Sequence, residues 1–163
     1  MNPKGLARLR PILVAALAAL AVAAIGGTMT VLGPWYHGLT KPSWQPPDAA
    51  FGVIWTVIFA LAAASGVTAW RAAPGRSTRE WIVGLFALNG SLNVFWSLLF
   101  FRLRRPDWAL VEVAGLWLSI AILIVFMGRF SRTASLLLAP YLVWVSVASA
   151  LNFEVVRLNG PFG

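Results

Sequence analysis

Five long apolar runs alternate with short polar segments along the chain. A helix rises about 1.5 Å per residue, so a run of roughly twenty apolar residues matches a hydrocarbon core of about 30 Å. The pattern predicts an all-α integral membrane bundle of five transmembrane helices, forming a single domain over residues 11–157. We place the helices at about residues 11–32, 49–71, 78–101, 107–128 and 134–157.

The short connections between the last four helices predict an antiparallel bundle in which helices adjacent in sequence are also adjacent in space. Residues 1–10 form a basic N-terminal segment, and residues 158–163 form a C-terminal tail. A basic start followed by Ala19-Leu20-Ala21 is also typical of a cleavable signal peptide. We favour an uncleaved first helix, because the apolar run continues to Leu32 and is long enough to span the bilayer.

Polar residues at the ends of the runs predict where several helices start. Asp48 and Asp107 are expected to cap the second and fourth helices, and Ser77 with Glu80 forms a capping-box pattern before the third. Pro140 lies inside the last run and is expected to kink it, which membrane bundles tolerate.

The composition agrees with a membrane location. The chain is 60% hydrophobic and 11% charged, whereas a soluble domain is about a quarter charged. The basic residues behind the net charge of +8 lie almost entirely between the apolar runs, as membrane topology requires, so we expect no nucleic-acid partner. Of the 13 basic residues, eight lie on the N-terminal face and five on the other, which places the N-terminus in the cytoplasm.

Few residues are suited to conventional catalysis or metal binding. The chain has no cysteine and a single histidine, His37, so no metal site is expected. Glu112 lies more than a turn inside the fourth helix, where a charge is costly and usually functional. The simpler alternative, which we favour, is that Glu112 pairs with the arginines of residues 102–105 at the nearby membrane edge.

The first loop, residues 33–48, is the longest polar and aromatic interruption of the apolar pattern. Its prolines at positions 42, 46 and 47 prevent a helix through this part and favour extended geometry. The loop leads into Phe51, Trp55 and Phe59, which share one face of the second helix at four-residue spacing. We expect a lid loop that folds over an aromatic pocket.

The chain contains nine tryptophans, and an interfacial belt explains those near helix ends. Trp55, Trp117 and Trp144 lie deeper, where a buried indole needs a partner for its N–H group. Asn93 and Trp96 share a face of the third helix. Two interpretations stay open: these groups bond helix to helix, or they line a cavity for a flat, mostly apolar ligand.

These residues resemble the translocator proteins, also called tryptophan-rich sensory proteins (the TspO/MBR family). The resemblance covers about residues 26–157, in family order. The main matching strings are Trp35-Tyr36-x-x-Leu39-x-Lys41-Pro42-Ser43-Trp44-x-Pro46-Pro47, Leu88-Asn89-x-x-x-Asn93-x-x-Trp96-Ser97, Trp108-Ala109-Leu110-Val111-Glu112 and Pro140-Tyr141-Leu142-x-Trp144.

The resemblance implies a bundle, often a homodimer, whose first loop closes a pocket for small molecules. It implies tetrapyrrole ligands such as protoporphyrin IX and heme, synthetic benzodiazepine and isoquinoline ligands, and no required cofactor or metal. In bacterial members, the positions of Trp55 and Trp144 are tied to light-dependent porphyrin breakdown. By this resemblance the ligand-binding residues are Tyr36, Trp44, Phe51, Trp55, Phe59, Asn93, Trp96, Trp108, Trp144, Ala148 and Leu151.

The expected function is therefore a receptor or carrier in the lipid bilayer of a bacterial cell membrane that regulates tetrapyrrole level or transport. One alternative is light-dependent degradation of protoporphyrin IX with Trp55 and Trp144 as participants, so enzyme activity stays open. Another is a sensory or structural membrane partner with no small-molecule role. Sterol transport is not carried over, because Phe153 stands where the animal sterol motif needs a tyrosine.

Overall fold

The computed structural model describes the backbone of residues 3–162 and the side chains of residues 9–162. Residues 1, 2 and 163 of the predicted N-terminal segment and C-terminal tail lie outside the described residues. The helices are α1 (Pro3–Met29), α2 (Pro34–Gly38), α3 (Asp48–Ala72), α4 (Arg76–Ser97), α5 (Pro106–Gly128), α6 (Arg132–Leu137) and α7 (Ala139–Asn159).

The membrane spans lie at Leu9–Met29, Asp48–Ala72, Arg76–Arg102, Pro106–Gly128 and Arg132–Asn159. Within residues 3–162 these five helical segments are long and apolar enough to cross a membrane. No strand occurs in the same range. The predicted fold class, an all-α multi-pass membrane protein, is confirmed.

Several element bounds differ from the predicted ones. Helix α1 starts before residue 11 and ends before residue 32, so most of the basic N-terminal segment is helical. The lid loop, residues 33–48, contains α2, which Pro34 favours because proline suits the first turn of a helix. Helix α4 continues into a π-helical turn, Leu98–Arg102, before the chain reverses.

The predicted helix caps are wrong, because charged side chains at these ends bond elsewhere. Asp48 lies in the first turn of α3 and accepts a hydrogen bond from the Tyr36 hydroxyl, at 3.0 Å. Glu80 pairs with Arg76 at 2.8 Å, and α4 starts after Gly75, so the capping box is not formed. Asp107 pairs with Arg105, the residue before α5.

The last span is interrupted rather than smoothly kinked. Helix α6 ends before Leu138, and Pro140 falls in the first turn of α7, where its missing N–H group is not needed. The hydroxyl of Ser65 on α3 donates to the carbonyl oxygen of Ala134 on α6, at 2.7 Å, and this bond fixes the short helix against α3.

Helix α1 packs between α3 and α4, while α4 packs on α5, α5 on α7, and α6 on α3. Helices α3 and α4, which are joined by a short turn, contact each other, but each contacts α1 more extensively. Gly90 permits the approach of α1 to α4, because a Cβ atom there would lie 2.9 Å from the Val22 side chain. The buried core centres on α5 and α7, whereas α1 is mostly exposed.

Candidate functional site

Aromatic side chains from α3 and α7 meet in the half of the bundle that lies under the first loop. The Trp55 ring stacks on Phe59 with centroids 5.3 Å apart and meets Trp144 edge-on at 6.5 Å. Phe51 contacts Trp144 at 5.5 Å, and Tyr141 contacts Trp55 at 6.0 Å. Four predicted ligand-binding residues, Phe51, Trp55, Phe59 and Trp144, therefore belong to one cluster, which we call the aromatic cluster together with Tyr141.

Two amide side chains join the helices around this cluster. The Asn93 amide on α4 donates to the Tyr141 hydroxyl on α7 at 3.1 Å. The Trp96 indole N–H donates to the Asn152 side-chain oxygen at 3.1 Å, and the Asn152 amide donates to the carbonyl oxygen of Pro106 at 2.8 Å. For these groups the structure supports the helix-to-helix interpretation, because their polar atoms already have protein partners.

Two other polar side chains have no such partner. The indole nitrogen of Trp144 is buried without a hydrogen bond, and so are both carboxylate oxygens of Glu112, among the side chains described. The predicted pairing of Glu112 with the arginine cluster is wrong, because Arg105 instead bonds Asp107 at 2.8 Å. Buried polar atoms without partners are costly in apolar surroundings, so each of them needs an explanation.

The lid loop is held by polar contacts at both of its ends. Gln45 donates to the Tyr36 hydroxyl at 3.3 Å, and the Lys41 ammonium lies 3.6 Å from the centre of the Tyr36 ring. Burial, together with the hydrogen bond to Asp48 and its negative charge, raises the pKa of Tyr36 to about 12. Thr40 exchanges two hydrogen bonds with the side chain of Asn159, at 2.7 and 2.8 Å. These contacts connect the loop to α3 and to the end of α7.

The remaining predicted site residues lie around the aromatic cluster rather than in it. Trp96 stacks on Phe100 with centroids 5.1 Å apart, beside the buried Tyr36. Leu151 is buried on α7, and Ala148 is half-buried one turn earlier. Trp44 is 50% exposed, so the structure does not bring it to the cluster.

Trp108 lies apart, at the membrane edge on the side of the loop. It is 52% exposed, and the Arg105 guanidinium lies 4.2 Å from its ring centre. With Trp35, Arg104 and Phe162 it lines a cavity of about 600 Å³. This part of the surface therefore combines aromatic faces with two cations.

A larger cavity of about 980 Å³ lies between α1, α3 and α4. Of the predicted site residues only Phe59 lines it, and Tyr141 forms part of the same wall. Sequence reasoning did not assign a role to Tyr141, although its position three residues before Trp144 places both on one helical face. It also assigned no pocket residues to α1, which contributes the outer wall of this cavity.

The arrangement consists mainly of aromatic rings with few polar groups. Within the described part of the chain, no three histidine, cysteine, aspartate or glutamate side chains lie close enough to hold a metal ion. The aromatic cluster offers rings from α3 and α7 and one buried indole N–H group, and α5 carries the buried carboxylate of Glu112. Such a site can hold a flat apolar molecule that carries a few polar atoms.

The fold and the site first define a class, namely multi-pass helical membrane proteins with an aromatic site beneath a proline-rich loop. Residues 13–158 match the TspO/MBR family, and the chain belongs to that family. It is 43% identical to tryptophan-rich protein TspO of Chlorobaculum tepidum over 86% of this chain and 90% of that one. It is 37% identical to tryptophan-rich protein TspO of Archaeoglobus fulgidus, with 88% and 93% of the two chains covered.

The similarity extends to an animal protein. The chain is 35% identical to the translocator protein of Sus scrofa, over 85% of this chain and 86% of that one. The family resemblance stated from the sequence is thus confirmed.

Proposed function

We propose that this membrane protein is a receptor or carrier for porphyrins, which it binds at the aromatic cluster to regulate tetrapyrrole level or transport. The observation that carries the proposal is the pair of buried polar groups without protein partners, Glu112 and Trp144, in the aromatic half of the bundle. A ligand with an acceptor atom can satisfy the Trp144 N–H group, and a ligand that also carries N–H donors can satisfy the Glu112 carboxylate. Protoporphyrin IX has pyrrole N–H groups, carboxylates and a large flat face.

Each part of the site has a role in this proposal. The Trp55 and Trp144 rings present faces and edges to the macrocycle, since aromatic contacts favour stacked and edge-on arrangements. The Glu112 carboxylate accepts hydrogen bonds from pyrrole N–H groups, and the Trp144 N–H donates to an acceptor of the ligand. Arg104 and Arg105, beside Trp108, attract the carboxylates at the membrane edge. The benzodiazepine and isoquinoline ligands implied by the resemblance use the same rings.

Binding requires the aromatic cluster to open. Its rings are in contact with one another, so a macrocycle enters only if Trp55 and Trp144 separate. The lid loop, whose bonds to Asp48 and Asn159 are few and near the surface, is the element that moves most easily. A homodimer, also implied by the resemblance, is part of the proposal and is tested by the mass of the purified complex.

Quenching of tryptophan fluorescence by protoporphyrin IX in detergent micelles tests the proposal. Trp55→Phe and Trp144→Phe should each weaken binding, and the double variant should weaken it by roughly tenfold, because each change leaves a smaller ring without an N–H donor and an aromatic pair contributes about 0.5–1.5 kcal/mol. Trp117→Phe is the matched control, since Trp117 is an exposed indole that bonds Ser146 outside the cluster. Equal affinity of the double variant and the wild type would refute the site.

A second candidate function is light-dependent degradation of protoporphyrin IX with molecular oxygen as the oxidant. The edge-on contact of Trp55 and Trp144 favours it, because an excited porphyrin can take an electron from one indole and the neighbouring indole can then replace that electron. Product formation under a fixed light dose should fall in the double variant and should persist in Trp117→Phe. Equal product in empty micelles would show sensitised damage without a role for the protein.

A further inference from the structure

The cavity between α1, α3 and α4 adjoins the aromatic cluster at Phe59 and Tyr141 but has a different chemistry. Its walls are mostly alanine, valine, leucine, isoleucine and phenylalanine side chains. Beside it, the Phe86 ring of α4 packs against Gly66 of α3, 3.3 Å from where a Cβ atom would be. The volume of about 980 Å³ is at the upper end of the range for small-molecule sites.

Apart from Arg10 and Trp70 at one end, the polar side chains in the cavity wall are already hydrogen-bonded. Asn89 donates to the Ser119 hydroxyl at 2.8 Å, and the Tyr141 hydroxyl accepts from Asn93. Ser91 donates to the carbonyl oxygen of Ala87 in its own helix, at 2.9 Å. Along most of its length the wall therefore has no polar group that needs a hydrogen-bond partner from a ligand. Such a wall favours a hydrocarbon occupant.

One end of the cavity is basic. Arg10 lines it there, and no described carboxylate forms an ion pair with Arg10. Trp70 lines the same end, with the Arg79 guanidinium 5.3 Å from its ring centre. A cation and an indole at the membrane boundary match the position at which the charged head of an amphiphile meets water.

The length of the cavity matches a single long hydrocarbon chain. Its lining residues on α1 run from Arg10 to Ile25, a distance of about 22 Å along the helix axis. That is most of one hydrocarbon core of about 30 Å. Among the described lining residues Arg10 is the single charged side chain, so the charge balance fits one carboxylate better than a larger zwitterionic headgroup.

We propose that this cavity binds one long-chain fatty acid, with its carboxylate at Arg10 and its hydrocarbon chain along α1 toward Ile25. The site shares Phe59 and Tyr141 as a wall with the aromatic cluster but is otherwise made of different residues. The fatty acid fills the space between α1 and the two helices on which it packs, and most of the remaining side chains of α1 are exposed.

Labelling with a photoactivatable palmitic acid in phosphatidylcholine nanodiscs, followed by peptide mass spectrometry, tests this site. Labelling that excess palmitate competes away should map to the cavity-facing parts of α1, α3 and α4. Ala19→Trp fills the cavity and should abolish the competed labelling, whereas Ala16→Trp, on the exposed side of the same helix, should leave it intact. Arg10→Gln should weaken the apparent affinity about fivefold, as expected for an exposed ion pair, and Arg132→Gln, on the same membrane face, should not.

Other outcomes contradict the proposal. Labelling spread evenly over the outer surface, or labelling that palmitate does not compete, shows bulk lipid contact only. Equal labelling of the cavity by a photoactivatable phosphatidylcholine assigns it to bilayer lipid, and cross-links between two chains through it assign it to a second copy. Protoporphyrin quenching and the thermal unfolding midpoint are measured on Ala19→Trp, so that loss of folding or of the porphyrin site is distinguished from loss of the fatty-acid site.

Discussion

Glu112 shows how one residue departs from the rules that govern the rest of the bundle. Its carboxylate oxygens are buried and have no partner among the described side chains, in a span where other polar groups are bonded. The sequence marked it as unusual by its depth, but the nearby arginines suggested a pairing that the structure does not contain. The sequence does not reveal which carboxylate the Arg105 side chain contacts. In the structure it bonds Asp107, two residues away.

Replacing Glu112 by an apolar residue should stabilise the ligand-free protein and weaken porphyrin binding. Glu112→Leu removes unpartnered buried polar atoms, so the free energy of unfolding should rise by about 1–3 kcal/mol. Thermal unfolding in detergent measures this change. Glu154→Leu is the control and should not stabilise, because Glu154 pairs with Arg157 at the surface. A destabilised Glu112→Leu would mean that the carboxylate has a structural role after all.

Tyr36 gives a prediction with a defined pH range. Its pKa is raised from about 10 to about 12, so the folded state favours the protonated hydroxyl that bonds Asp48. The stability that this provides is present below about pH 10 and is lost as the pH rises from about 10 to about 12. The pH titration of tyrosinate absorbance is compared between the wild type and Tyr36→Phe. The part of the absorbance that only the wild type shows belongs to Tyr36, and it should appear near pH 12. Its appearance near pH 10 would show that the lid does not bury Tyr36.

At the scale of elements, Asn152 connects three helices. It accepts from Trp96 on α4 and donates to the carbonyl oxygen of Pro106 at the start of α5, while lying on α7 itself. The face shared by Asn93 and Trp96 was predictable from helical spacing, but the partner of each group was not. Spacing fixes which side chains share a face, whereas the rotation of the facing helix decides what they touch.

Removing the Asn152 amide should loosen the contact of α4, α5 and α7. Asn152→Leu leaves the Trp96 N–H and a Pro106 carbonyl without partners, so the free energy of unfolding should fall by about 1–3 kcal/mol. Unfolding by sodium dodecyl sulfate, followed by circular dichroism, measures the loss. Ser149→Ala on the same helix is the control, because Ser149 bonds only the carbonyl of Val145 in its own helix. Equal stability of the two variants would contradict this role.

The ends of the helices were the least predictable part of the elements. Asp48, Glu80 and Asp107 have the residue types and spacing of caps, yet each bonds a neighbouring side chain instead. From Pro140 we predicted a kink in the last span. The irregularity lies close to this position, but the structure has two helices there rather than one bent helix. Local sequence therefore places an irregularity without fixing its geometry, because tertiary partners compete for the same polar groups.

At the scale of the whole molecule, the hydropathy pattern was sufficient to predict the five membrane spans but not how they pack against one another. The insertion of α1 between α3 and α4 depends on the close approach at Gly90 and Val22, which no periodicity along either helix reveals. The cavity beside α1 follows from this arrangement, and the aromatic cluster adjoins it at Phe59 and Tyr141. A lidded aromatic site could thus be predicted in outline, whereas the space beside α1 could not.

The central claim is that a porphyrin occupies the aromatic half of the bundle beneath the lid loop. The most direct measurement is an experimental structure of the protein in nanodiscs with protoporphyrin IX bound. The account predicts the macrocycle among Trp55, Trp96 and Trp144, with the Glu112 carboxylate within about 3 Å of a ligand donor. A macrocycle on the lipid-facing surface, or in the cavity beside α1, would contradict it.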